Sequence, residues 1–157
     1  MDNYLKILED SLLKKIKVLD DIAEYNEEQG RIFSDGSADT DKFDEYIAKK
    51  EELISELNLL DEGFEALYAR ISGQLKDNRA LYSRQIKRLQ ELVQEVTDKS
   101  VSVQAQEARN KALTEEYFAN ERLNLRSRRK TSKAVYDYYK TMSKVNSVQP
   151  QFMDSRQ

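Results

Sequence analysis

The chain has 157 residues, 35% of them charged, a net charge of −3, and no cysteine, histidine or tryptophan. That composition excludes disulfides, thiolate metal sites and the usual general base near neutral pH. No apolar run approaches the roughly 18 residues a membrane span needs, so no membrane insertion is expected.

Hydrophobic residues make up 39% of the chain, too many for a wholly disordered protein but enough only for a thin, elongated core. One proline and four glycines stand among abundant Glu, Lys, Leu, Gln, Ala and Arg, the composition of long helices and coiled coils. Charges interrupt the first ten residues every few positions, so they do not read as a signal peptide and the expected location is the cytoplasm.

The first helix is expected from about Asn3 to Gln29. Its stripe is Leu5, Leu8, Leu12, Ile16, Leu19 and Ala23, widened by Ile7, Leu13, Val18 and Ile22; steps of three and four define one helix face. Lys14 and Lys15 fall off it, and Gly30 is placed as the C′ stop. The turn chemistry of Ser34-Asp35-Gly36-Ser37 marks a loop, with Asp39 or Thr40 capping the next helix.

The second helix is expected over about Thr40 to Lys76. Phe43, Ile47, Lys50, Ile54, Leu57, then Leu60 or Asp61, Phe64, Leu67, Ile71 and Leu75 form a near-heptad seam that Lys50 interrupts. Gly63 and Gly73 lie inside it, each costing about 1 kcal/mol relative to alanine. Gly63 reads either as a close helix approach or as a tolerated defect.

Asp77-Asn78 is taken as the N-cap of a third helix starting near Arg79, with a face of Tyr82, Ile86, Leu89, Val93 and Val96. The β-branched and hydroxyl stretch from Thr97 to Val103 weakens helix propensity, yet the helix is expected to continue. Its face resumes at Ala105, Ala108, Ala112, Leu113 and Phe118 and fades near Leu125. Such a helix would approach about 70 Å and outreach the other two.

Beyond it come a basic run from Arg126 to Lys133, a short amphipathic segment from Ala134 to Met142, and a tail from Val145 to Gln157. From Asn120 onward there are about nine Lys+Arg against three Asp+Glu, leaving 17 against 26 in the preceding part. The expected fold is therefore all-α: an elongated antiparallel helical bundle or coiled coil of three long helices, a short C-terminal helix and a flexible tail. Residues 1–125 form the long-helix bundle, and residues 126–157 a basic, Tyr-rich segment.

An enzyme is not expected, nor any cofactor. Adjacent carboxylates such as Asp20-Asp21, Glu27-Glu28 and Glu51-Glu52 diverge by about 100° on a helix and do not converge on one reacting atom. The basic run 126–133 is the one nucleic-acid alternative. It is short, sits in a chain of pI about 5.2, and reads more simply as a solvated helix end.

In the amphipathic segment, Tyr136 and Tyr139 lie together with Met142 following, while Tyr138 points elsewhere. The segment either docks on the bundle or meets a partner. The seams are expected chiefly to pack against one another within the chain, and the functional reading is that part of a seam, best the protruding end of the third helix, stays open for a partner helix. Leu113, Tyr117, Phe118 and Leu125 on the far half of the third helix, with Tyr136, Tyr139, Met142 and Phe152 beyond it, are the candidate protein-binding residues. A structural or adaptor coiled coil that pairs with itself through its seam is the alternative.

Five local patterns occur in order: Leu60-Asp61-Glu62-Gly63-Phe64, Ile86 to Leu92, Gln106-Glu107-Ala108-Arg109-Asn110-Lys111, Tyr138-Tyr139-Lys140-Thr141-Met142 and Phe152-Met153-Asp154-Ser155-Arg156. With them, over nearly its whole length, the chain resembles the FlgN/FliT-like flagellar export chaperones of Gram-positive anaerobes. Ser155 and Gln157 depart from the more lysine-rich ending of that family. The resemblance implies a cytoplasmic chaperone that holds flagellar hook-associated subunits, the hook–filament junction proteins, prevents their premature assembly and hands them to the export gate of the type III apparatus. It also implies a large part for the C-terminal helical region in substrate contact, matched here only by Tyr139-Lys140-Thr141-Met142 and neighbouring Tyr136.

Overall fold

The computed structural model describes residues 1–34, 39–121 and 133–142. The expected loop at 35–38, most of the basic run, the tail, and candidates Leu125 and Phe152 lie outside the described residues. Three long helices, α1 (Asp2–Ser34), α2 (Thr40–Asp77) and α3 (Ser83–Asn120), are followed by a short helix, α4, at 133–142. The fold is an all-α bundle, with no strand among the described residues.

The direction of each helix follows from its cross-contacts. Lys15 of α1 pairs with Asp61 of α2, and Gln29 Nε2 donates to the Phe43 carbonyl at 3.2 Å; as α1 numbers rise, α2 numbers fall, so the two run antiparallel. Glu9 pairs with Arg88 and Asp20 with Lys99, so α3 runs parallel to α1. The path is up, down, up.

The buried residues of α1 are Leu5, Leu8, Leu12, Lys15, Val18, Leu19, Ile22, Asn26 and Gln29. Alternating steps of three and four keep them on one seam. Lys15 therefore belongs to the seam rather than off it, because Asp61 on α2 supplies the counter-charge that makes its burial tolerable. Ile7 and Leu13, expected to widen the stripe, are exposed. α2 buries Phe43, Ile47, Lys50, Ile54, Leu57, Asp61, Phe64, Ile71 and Leu75, the seam anticipated from its spacing except that Leu67 is only half-buried.

Helix ends differ from expectation at three places. Gly30 does not stop α1, which continues to Ser34. A Cβ at Gly30 would meet Asn110 Oδ1 at 3.3 Å, so this glycine serves the close approach of α3. Asn78 caps the end of α2 rather than the start of α3: its backbone N–H and its side-chain Nδ2 both reach the Gln74 carbonyl, at 3.2 and 2.8 Å. Residues 78–82 then turn, and α3 begins at Ser83 with no side-chain cap. The cap on α2 is the expected Asp39, whose Oδ1 accepts from the Lys42 N–H at 3.0 Å.

α3 is continuous through residues 98–103. Thr97 Oγ1 donates to the Val93 carbonyl at 2.9 Å, so its hydroxyl is satisfied within the helix. Ser100 and Val103 face inward. α3 ends at Asn120 and, at 38 residues, equals α2 in length, about 57 Å. Among the described residues α3 is therefore longer than α1, at 33 residues, but not longer than α2, so the expected overhang beyond both helices is not seen there.

Candidate protein-binding site

The second half of α3 carries an unusual face. Ala105, Ala108 and Ala112, expected to point inward, are exposed, whereas Ser100, Val103, Glu107, Asn110 and Thr114 are buried. Apolarity misplaced the seam here because the bundle interior at this level is polar. Lys50 of α2 projects into it, fully buried, and donates to Glu107 Oε1 at 2.9 Å, Glu107 Oε2 at 3.1 Å and Asn26 Oδ1 at 2.7 Å. Asn26 Nδ2 donates to Gln106 Oε1 at 3.2 Å, and Asn110 Nδ2 to the Asn26 carbonyl at 3.0 Å. One buried cation thus ties α1, α2 and α3 together. Burial pushes its ammonium down to about 8 against the opposing pull of Glu107.

α4 closes over this layer. Val135, Tyr138 and Met142 are buried in the common core, at steps of three and four that make one face. Tyr138, expected to point elsewhere, is fully buried: its hydroxyl donates to Glu107 and its ring lies 4.1 Å from the Lys50 ammonium. Burial first, then the neighbouring Glu107, drives its phenol far up, so it stays a neutral donor. Tyr139 is pushed up by burial and then by Glu107 and Glu115. The short helix therefore docks on the bundle by a polar anchor within an apolar face.

Between α3 and α4 lies an open cleft of about 450 Å³. One wall is Lys111, Thr114, Glu115 and Phe118, at i, i+3, i+4 and i+7 of α3; the other is Val135, Tyr136, Tyr139 and Lys140. Tyr136 stands on its lip, 67% exposed. A concave site walled by two helices with aromatic and aliphatic surface suits an added amphipathic helix.

Of the candidate residues, the fold brings Phe118, Tyr136 and Tyr139 together in this cleft. Tyr117 is half-buried, its ring 5.2 Å from Phe33 and 5.4 Å from Phe118, supporting the wall from behind. Leu113 lines a separate groove between α1 and α3 with Gly30 and Arg109. Met142 is buried and serves docking of α4. Lys140 belongs to the stretch that the family resemblance pointed to, whereas Lys111, Thr114, Glu115 and Val135 were not anticipated; the i, i+3, i+7 spacing of Lys111, Thr114 and Phe118 was the available signal.

Among the described residues no helix is long and apolar enough to cross a membrane, and no cluster of three His, Cys, Asp or Glu could hold a metal ion. No curated protein and no solved structure matches the chain. The sequence pattern of the family described as FlgN protein matches residues 1–144, a span that takes in all three long helices and α4. On that match the chain belongs to the FlgN family and is a flagellar export chaperone.

Proposed function

We propose that the chain is a cytoplasmic chaperone of hook–filament junction subunits, which it holds before export and passes to the export gate. The client enters as one amphipathic helix laid into the α3–α4 cleft, burying apolar positions at i, i+3, i+4 and i+7. The cleft carries this reading: Phe118, Val135, Tyr136 and Tyr139 offer apolar surface between two helices, and tyrosine is favoured at such interfaces. In this reading the site straddles the division at 125/126, with the long-helix body supplying one wall and the C-terminal segment the other.

The test is calorimetric titration of a purified junction subunit into the full chain and into a Phe118→Ser/Tyr136→Ser variant. Helix content by circular dichroism shows that both are folded. The variant should bind at least about tenfold more weakly, since truncation of central aromatic anchors costs this much or more. Equal affinity would place the site elsewhere. No binding by either protein would remove the junction subunits as clients.

A further inference from the structure

The end of the bundle where α1 and α3 begin and α2 stops is basic. Between Lys76 and Arg88 the chain carries five Lys or Arg against a single acid, Asp77, in a protein of net charge −3. Because α1 runs parallel to α3, Lys6 lies at the same end, and so does Asp2. Arg88 is engaged by Glu9. Lys6, Lys76, Arg84 and Lys87 are exposed, and none of the four has an ion pair among the described residues. Side chains on a helix tilt toward its N-terminus, so Lys6, Arg84 and Lys87 lean toward this end rather than along the body.

Leu81 stands in the turn that joins α2 to α3. At 71% it is the most exposed large hydrophobic side chain among the described residues. One exposed leucine is ordinary on a protein surface. This one sits on a turn between two antiparallel helices, a protruding tip rather than a groove, and cations surround it. Tyr4, on the first turn of α1, is exposed at the same end. A tip offers no trough for a peptide. It suits a plane, with the leucine entering the boundary between headgroups and acyl chains, tyrosine at headgroup level, and the lysine and arginine stems reaching up to phosphates.

We propose that this end docks the chain, reversibly and end-on, on an anionic phospholipid surface. The net negative charge of the protein does not oppose this. Glu27, Glu28, Asp39, Asp41, Glu115 and Glu116 lie toward the other end of the bundle. Along α3, Glu115 is roughly 48 Å from Ser83, against a screening length of about 10 Å at 0.1 M salt. The surface therefore acts on the basic tip and not on the acidic end. In this orientation the α3–α4 cleft faces away from the membrane.

Co-sedimentation of the full chain with phosphatidylcholine vesicles, with and without about 30 mol% phosphatidylglycerol, tests this at about 0.1 M salt. The chain should bind the anionic vesicles and not the neutral ones, and should be released at about 0.5 M salt. Arg84→Gln/Lys87→Gln should lower partitioning about tenfold or more, since each surface cation contributes roughly fivefold. Leu81→Ser should lower it about threefold or more through lost apolar burial. Arg128→Gln/Arg129→Gln, in the basic run, should change it less than about twofold. Circular dichroism checks that each variant is folded. Failure to bind anionic vesicles, equal binding to neutral ones, indifference to the Arg84/Lys87 or Leu81 changes, or loss on the Arg128/Arg129 change would each overturn the proposal.

Discussion

The Tyr138 hydroxyl donates to the carboxylate of Glu107, 31 residues away, and so fastens α4 to the polar layer at which the other three helices meet. A hydrogen bond to a charged acceptor contributes about 1.5–3 kcal/mol. Tyr138→Phe keeps the ring against Lys50 and loses only the hydroxyl, so it should lower unfolding free energy by that amount in urea titration. Tyr136→Phe, on the exposed lip, should change it by less than about 0.5 kcal/mol. Equal effects at the two positions would refute the anchoring role.

Lys50 and Glu107 are nearly fully buried and salt-bridged. Removing one partner leaves the other charge uncompensated, so Lys50→Leu and Glu107→Leu should each cost about 3–5 kcal/mol. The double variant should cost clearly less than the two together, with a coupling of at least about 2 kcal/mol in a double-mutant cycle. Additive losses would mean that the two side chains act independently.

The lowered value of Lys50, about 8 against 10.5, sets a pH dependence. Between those values the unfolded chain holds a proton that the folded chain does not, so stability from this group rises with pH across that window. Comparing the chain with Lys50→Met cancels the other titrations. The stability of the chain relative to this variant should increase by on the order of 2 kcal/mol from pH 8 to 10.5. A flat or falling difference contradicts the burial argument.

Two glycines should respond differently to alanine. Gly73 has nothing within 4 Å of an added Cβ, so Gly73→Ala should stabilise by about 1 kcal/mol through helix propensity. At Gly30 the new methyl meets Asn110 Oδ1 at 3.3 Å, and Asn110 is held by its bond to the Asn26 carbonyl. Gly30→Ala should gain less than Gly73→Ala or lose stability, as read from thermal unfolding. An equal gain at both would mean that the α1–α3 contact yields freely.

Deleting α4 should expose Glu107 and Lys50, which Tyr138 now covers. A chain truncated after residue 121 should therefore unfold at lower urea than the full chain while remaining helical. An unchanged midpoint would mean that α4 docks without contributing to stability.

The sequence by itself determined the helices, their order, most of the α2 seam and the apolar part of the α1 seam. Steps of three and four recur with few breakers, and periodicity is a local property that needs no partner to be visible. Lys50 was legible as an interruption of the α2 seam but not as the centre of a network, because its partners Asn26, Glu107 and Tyr138 come from three other helices. Only the tertiary structure decided that α3 turns a polar face inward, that Lys15 is buried and that Tyr138 is the anchor of α4. In each case a charged or polar group becomes tolerable inside only when a partner from a distant part of the chain satisfies it. The cleft was half legible: Phe118, Tyr136 and Tyr139 stand out as aromatics, but the residues that face one another across it depend on how α4 sits over Glu107.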